Sequence, residues 1–469
     1  MAEELLGDRF LGDGADASAI VRVVLELSHE DPFALLASGA DGEERVFAWN
    51  DPADGRCFVG VGCADKESFE GAGRFERAAE VCRAWSNSLL SADQEWTGLP
   101  LAVGGFAFGE SGGAREGAWR GWSDGELWIP ELLVQRKGGR TQAAVTLVVP
   151  AGESPARVEQ RMQAAVERLS ELEPVATLDV ACVVGEQEPL DEKEGFSHWQ
   201  VAVERAVEKV SDQSLQKVVL ARTVRWQAKD AEVFDAVGTA FAMREAQEDC
   251  TVFLVRGSGQ GDFVGATPEE LVRLSGGWAH TAALAGTRRR VAGEESSGIQ
   301  ELLDSPKDRL EHRLVADTIR EALSPVLEGI QGGGAPSVAS YADVHHLRAD
   351  FSGMVSDGVG LLHLVKTLHP TPAVGGLPKT EALNWLQENE GLDRGWYSSP
   401  VGWIDGRGDG VFVVGIRSAN ISQGTATAYA GCGLVRQSDA RNEWDESLAK
   451  LSTIRRSLVR KSLPTGEKS

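Results

Sequence analysis

The chain has 469 residues, 42% of them hydrophobic, which is ample for a large core in two or three domains or in one intertwined unit. Its formal net charge of −24 argues against nucleic acid and anionic membrane surfaces as partners, since both need basic faces. A small anionic substrate is not excluded, because a local cation can dominate the field inside a cleft. The six cysteines (Cys57, Cys63, Cys82, Cys182, Cys250, Cys432) form no C-x-x-C and no dense framework, which fits a reduced protein with free thiols. The opening residues lack the basic start and apolar core of a secretory signal, and no apolar run approaches a bilayer-spanning length. A soluble, cytoplasmic protein is expected.

In chain order, residues 33–38, 45–49 and 57–61 read as strands and 68–90 as an amphipathic helix. Further strands follow at 101–108, 127–135 and 141–149, then a helix at 155–172 with Val158, Met162, Ala165 and Leu169 interleaved among charges. Gly104-Gly105-Phe106 lacks the Gly-Lys-Ser/Thr of a phosphate loop and reads as close backbone packing in a sheet. Residues 172–194, acidic and Pro-containing, are the candidate boundary between an N-terminal β-rich part (1–190) of the same α/β unit and a catalytic region (196–455). Beyond it come a helix at 196–210, a strand at 217–226, and hairpins pairing 251–255 with 263–267 and 271–274 with 278–282 through Gly-containing turns. No repeat of fixed period is present. The hairpins imply a largely antiparallel sheet with helices packed on it, an α+β fold. Residues 456–469 read as a C-terminal tail, the last six frayed.

Two further segments open helices. In the first, Ser305 can cap and Pro306 fits the first helical position, with Leu310, Leu314, Val315, Ile319 and Leu323 following at roughly helical spacing. In the second, residues 438–450, Trp444, Leu448 and Leu451 supply the apolar stripe. An i, i+3 spacing puts Asp308 and Glu311 on one face, and likewise Glu443 and Glu446, with Lys450 one turn further along. Two helices each offering a carboxylate pair can build an all-oxygen site, which suits Mg²⁺ better than Ca²⁺ or Zn²⁺. The same residues also suit acidic first turns that complement helix dipoles. The histidines do not make a zinc site, because His345-His346 and His369 lack H-E-x-x-H spacing and have no cysteine pair nearby.

From residue 217 the motifs run in a fixed order: Lys217-Val-Val-Leu-Ala-Arg, Gly265-Ala-Thr-Pro-Glu269-Glu-Leu, Leu284-Ala-Gly-Thr287, Lys307-Asp-Arg-Leu-Glu-His312 and Val344-His-His-Leu347. His369-Pro-Thr-Pro-Ala-Val-Gly-Gly376, Tyr397-Ser-Ser-Pro-Val-Gly-Trp403, Gly415-Ile-Arg-Ser418, Gly431-Cys-Gly433 and Glu443-x-x-Glu446 complete the series. Together they resemble the chorismate-binding enzyme family over roughly residues 196–455, and Lys217 with the His369 loop resembles its isochorismate synthase branch. Ala283, Ser399 and Cys432 stand where proline, glycine and alanine are usual in that pattern, departures that bear on substrate fit more than on reaction class.

The resemblance implies the fold of anthranilate synthase component I, with large, mostly antiparallel sheets wrapped by helices. It also implies Mg²⁺-dependent, reversible conversion of chorismate to isochorismate, with water added at C2 and the C4 hydroxyl lost. By motif position Lys217 is the base and Glu269 the acid. The base must work unprotonated, and the acid needs its pKa raised. Glu311 and Glu446 would ligate the metal, with Asp308 and Glu443 acting through water or as support. Arg417, Tyr397 and Lys450, with backbone N–H groups around Gly286–Thr287 and Gly431–Gly433, would hold the enolpyruvyl carboxylate, and His346 would lie near the reacting hydroxyl. The substrate would be chorismate, with no glutaminase partner and a monomeric chain. Residue by residue, plainer roles remain open: an exposed strand lysine for Lys217, an ordinary loop glutamate for Glu269, a salt-bridged surface residue on a strand for Arg417, and an i+4 partner of Glu446 for Lys450. A salicylate synthase, an anthranilate or aminodeoxychorismate synthase component, and a non-catalytic scaffold are the alternatives. The pathway served, whether menaquinone, siderophore or salicylate, stays open.

Overall fold

The computed structural model describes residues 18–27, 31–36, 44–91, 98–110, 115–172, 192–228, 232–257, 259, 261–290, 295–341, 344–422 and 424–462. Alternation along its strands builds two sheets back to back. In the strand Val46–Asp51, Phe47 and Trp49 face one way and Val46 and Ala48 the other. The aromatic pair joins Phe58, Phe253 and Phe263 from its own sheet and Val103, Trp128, Trp403 and Val411 from the other, in a core between the two. Val46 and Ala48 pack outward against the helices Ala236–Ala246 and Ala440–Ser457. The outer face of the second sheet is covered by Arg74–Asn87, Pro306–Leu323 and Leu361–Leu368. Pro155–Glu171, Glu192–Ser211 and Lys379–Asn389 cover the rest of the first. The result is a helix–sheet–sheet–helix stack, because each sheet has two apolar faces to bury.

One sheet has 12 strands and the other 10, and among the described residues only Ala19–Leu27 with Leu89–Ser91 pairs parallel within them. Strands from before and after residue 190 meet in both: Val46–Asp51 pairs with Thr251–Arg256, and Pro100–Phe106 with Pro400–Asp405. That second pairing on one side, and the pairing with Gly125–Ile129 on the other, explain the glycine pair. At Gly104 (φ 146°) a Cβ would lie 2.1 Å from the Glu126 carbonyl oxygen, and at Gly105 one would lie 2.7 Å from that of Pro400. The backbone approach reserves these positions for glycine.

Several elements differ from the sequence reading. Residues 32–35 form a 3₁₀ helix rather than a strand, because Asp31 caps it through the Phe33 N–H (3.1 Å) and Pro32 fits its first turn. The expected helix at 68–90 is a strand, Asp65–Phe69, and then a helix, Arg74–Asn87, separated by Gly71 at φ 72°. The run 127–135 splits at Pro130, which has no N–H for a ladder; Gly125–Ile129 lies in one sheet and Leu132–Lys137 in the other. Residues 459–462, read as tail, form a strand paired with Glu232–Asp235. Most of the expected boundary, 173–191, and the last residues from 463 lie outside the described residues. No helix among the described residues is long and apolar enough to cross a membrane.

Candidate active site

The strand Lys217–Gln227 begins at the residue that matters. Lys217 pairs in register with Leu377, is 1% exposed, and extends its ammonium to Glu311 Oε1 at 2.9 Å. The helix carrying Glu311 starts as its sequence indicates: Ser305 Oγ accepts the Asp308 N–H (3.2 Å) and Pro306 occupies the first turn. The second helix is capped by Asp439, which accepts from Arg441 N and Asn442 N at 3.0 Å each. Both helix starts point into one cavity of about 540 Å³. Every residue chosen from the sequence lines it except Glu443, which lies behind Glu446 and is 3% exposed.

Glu269 sits in the break between the strands Asp262–Thr267 and Glu270–Ser275, its N–H bonded to Thr267 Oγ1 (3.2 Å). Its side chain is 7% exposed and accepts a long hydrogen bond from Thr371 Oγ1 (3.4 Å). Burial pushes its pKa up to about 7, with Lys217 opposing in part. A carboxylic acid that still holds its proton near neutrality therefore faces the same cavity as a buried lysine.

His346 is neutral at physiological pH, because burial and the Arg417 charge push its pKa down to about 3. Its Nδ1 lies 3.1 Å from the Gly286 carbonyl oxygen and 3.1 Å from Thr287 Oγ1. The carbonyl can only accept, so Nδ1 carries the proton and Nε2 is an acceptor. Arg417 does not lie on a strand, as its spacing with Val413 and Gly415 suggested. It occupies a bend between Gly410–Val414 and Ser418–Ser422 at φ 49° and is 8% exposed, so it is no surface residue. A left-handed non-glycine residue of this kind marks backbone held in place by its surroundings. Tyr397 stacks on Tyr429 with ring centroids 5.0 Å apart. Lys450 does two things at once, pairing with Glu446 (2.7 Å) and donating to the Gly431 carbonyl (2.8 Å).

The carboxylates divide by charge environment. Burial and the neighbouring Glu446 raise the pKa of Glu443, whose partner is Lys307 at 3.4 Å. Burial would raise Glu446 too, but Lys450 holds it below the usual carboxylate range. Glu311, Glu446 and Asp308 on the cavity wall, with Glu443 behind, give an all-oxygen donor set of net negative charge, which can hold a hard divalent cation. Among the described residues, the group with three donor atoms mutually within 4.8 Å is Cys432, Glu443 and Glu446. Cys432, however, is fully buried among Trp199, Val218, Leu220 and Trp444, on the opposite face of its strand from Gly431 and Gly433. Its thiol donates to the Glu443 carbonyl (3.2 Å). The sulfur belongs to the core, leaving the donors as oxygen. Likewise neither Ala283 nor Ser399 lines the cavity; all three departures from the family pattern are buried, each next in the chain to a residue that does line it.

A profile of the family described as chorismate binding enzyme covers residues 10–459. The chain belongs to the chorismate-binding enzyme family. It is 36% identical over 447 residues to the salicylate biosynthesis isochorismate synthase of Pseudomonas aeruginosa, covering 94% of this chain and 91% of that protein. It is 30% identical over 438 residues to isochorismate synthase MenF of Bacillus subtilis, with 90% of each covered. Among solved structures, MenF, the menaquinone-specific isochorismate synthase from Escherichia coli, shares the fold with a TM-score of 0.77 at 23% identity, over 97% of this chain and 98% of that one.

A chorismate-binding enzyme must keep its reactive groups rigid, and here residues outside the sequence-based set do that. Arg394, 3% exposed, donates to the Val219 carbonyl (2.6 Å) and the Val374 carbonyl (2.7 Å) while paired with Glu390. It ties the strand of Lys217 to the loop that carries Thr371. Thr371 itself, and Lys307 beside Glu443, were also missed. Thr371 sits in a recognised motif and Lys307 in another, but nothing in their spacing signals a contact across the fold. Gly433 has a steric reason to be glycine. A Cβ there would lie 2.8 Å from Lys217 Cε and 2.9 Å from Glu311 Oε1. Lys217 is too enclosed to move aside, so Gly433→Ala should split the Lys217–Glu311 pair and lower turnover on the order of tenfold or more. Steady-state kinetics beside near-UV circular dichroism checks this; unchanged turnover in the folded variant would show that the pair's geometry is irrelevant.

Proposed function

We propose that this chain is an isochorismate synthase that converts chorismate to isochorismate reversibly with Mg²⁺. The observation that carries the reading is the pairing of opposites across one cavity: a buried carboxylic acid protonated up to about pH 7 and a buried lysine. Acting as the neutral amine, its own proton given up beforehand, Lys217 takes a proton from the attacking water as its oxygen bonds to C2, the ring double bond shifts, and Glu269 gives a proton to the C4 hydroxyl, which leaves as water. Atoms balance, since one water enters and one departs. Glu311 and Glu446 would hold Mg²⁺, supported by Asp308 and Glu443, and the bound ion would neutralise the ring carboxylate. Arg417, Tyr397 and Lys450, with the N–H groups of Gly286–Thr287 and Gly431–Gly433, suit the enolpyruvyl carboxylate. Neutral His346 offers Nε2 as an acceptor to a ring hydroxyl. The identities of 36% and 30% to two proteins named isochorismate synthase, across nine-tenths of the chain, support this reading.

The test is product analysis. Chorismate and Mg²⁺ should yield isochorismate alone, stalling as a mixture because one hydroxyl replaces another. Chelator should stop the reaction, and ammonium should change nothing. Stoichiometric pyruvate with salicylate would make it a salicylate synthase, and an amino product would place it with the anthranilate branch.

A further inference from the structure

Three of the four carboxylates that face or back the metal position are each held by a lysine: Glu311 by Lys217 (2.9 Å), Glu446 by Lys450 (2.7 Å) and Glu443 by Lys307 (3.4 Å). The three lysines are not equivalent. Lys217 has 1% of its side chain exposed, and Lys450 has 16% exposed and is also bonded to the Gly431 carbonyl. Lys307 has 40% exposed, makes the longest of the three contacts, and stands in the first turn of its helix, where a flexible stem can carry the ammonium out to water. Glu443, 3% exposed, cannot follow it. Without Lys307 that carboxylate would be buried beside Glu446 with its nearest cation gone. The Lys307 ammonium also feels the charges of Glu311 and Glu446, so it sits in the same negative field that would draw a divalent ion.

Building on the metal reading proposed above, we propose that Lys307 is the resident counter-ion of this carboxylate cluster. It is the cation that Mg²⁺ displaces on entry, and so the residue that sets the affinity of the site. Lys217 keeps Glu311 aimed at the site and Lys450 keeps Glu446 aimed at it, while Lys307 alone is built to leave. A positive charge that must be driven out competes with the metal, and its removal should tighten binding even though it takes away a polar contact.

The experiment is calorimetric titration of the full-length protein with MgCl₂ at fixed ionic strength, without chorismate, comparing wild type with Lys307→Gln and Lys307→Arg. The Gln variant should bind Mg²⁺ roughly three- to tenfold more tightly. The Arg variant, which keeps the charge, should bind no more tightly than wild type. Thermal melting gives a second reading. In chelator Lys307→Gln should melt below wild type, because Glu443 has lost its partner, and Mg²⁺ should raise its midpoint by more than it raises that of wild type. Equal or weaker Mg²⁺ binding in Lys307→Gln, with wild type binding normally, overturns the counter-ion role and leaves the metal reading standing. A gain as large in Lys307→Arg overturns it too, since charge would not be the cause. Wild type that binds no Mg²⁺ sinks the metal reading and this inference together.

Discussion

Replacing Lys217 by alanine is expected to lower turnover by about 10²–10⁴-fold while chorismate still binds. The side chain is 1% exposed at the first residue of its strand, and its ammonium sits 2.9 Å from Glu311 on the cavity wall. Among the described residues of the cavity wall the other two lysines are more exposed, Lys450 at 16% and Lys307 at 40% of the side chain. Arg417 stays charged at all working pH, and Lys450 is held by two acceptors, Glu446 and the Gly431 carbonyl, which keep its proton on, whereas Lys217 is held by Glu311. The contacts suited to the substrate carboxylates come from Arg417, Tyr397 and backbone N–H groups, so the loss should fall on kcat rather than on KM. In the reversible reaction proposed above, the variant should be equally impaired starting from isochorismate. Alanine also leaves Glu311 without its partner, so equilibrium binding of chorismate must be measured beside the rate. A variant with near-normal turnover would remove Lys217 from the mechanism, and one with normal kcat but raised KM would make it a binding residue.

How far the sequence reached follows from what periodicity can encode. The i, i+3 pairs Asp308/Glu311 and Glu443/Glu446 were legible because a helix fixes which residues share a face, and both helices carry their start signals in Ser305-Pro306 and Asp439. Antiparallel hairpins were legible from Gly-containing turns between apolar runs. What could not be read was partnership across long separations. Lys217 meets Glu311 across 94 residues, Thr371 meets Glu269 across 102, and Arg394 meets Val219 across 175. The first two contacts join residues already marked by motifs, whereas Arg394 has no local pattern to betray it. Arg417 misled for a related reason. Its alternation with Val413 looked like a strand, but the backbone turns left-handed at that residue to aim the side chain into the cavity, and a propensity argument has no means of seeing such a constraint. Pro130 was the opposite case. Its missing N–H was visible in the sequence, yet the apolar run around it outweighed it until the split between two sheets showed what the proline does.

Glu269→Gln should cut turnover by about 10²–10⁴-fold and at the same time make the protein more stable above neutral pH. The two effects have one cause. In the unfolded chain a glutamate releases its proton near 4.5, whereas in the folded protein burial holds it up to about 7. Between those values the folded state binds more protons than the unfolded state, so the sign of the linkage is fixed: stability falls as pH rises through the window from about 4.5 to about 7. A shift of that size corresponds to about 3 kcal/mol lost by pH 8, where the buried group is forced to ionise. Glutamine has the same size and never ionises, so the variant escapes that loss. Its melting midpoint should exceed that of wild type at pH 8 and approach it below about pH 4.5, where both states hold the proton. Activity gives the independent half of the test, because glutamine cannot deliver a proton to the leaving C4 hydroxyl. In wild type the same ionisation should appear as a decline of kcat/KM above about pH 7 in the direction that starts from chorismate. A variant with the same pH dependence of melting as wild type would mean that Glu269 ionises like an ordinary loop glutamate, and the acid in this mechanism would have to be sought elsewhere on the cavity wall. Greater stability with full activity would be stranger. It would keep the buried proton and deny it any part in the chemistry, which is why the two measurements belong on the same preparation.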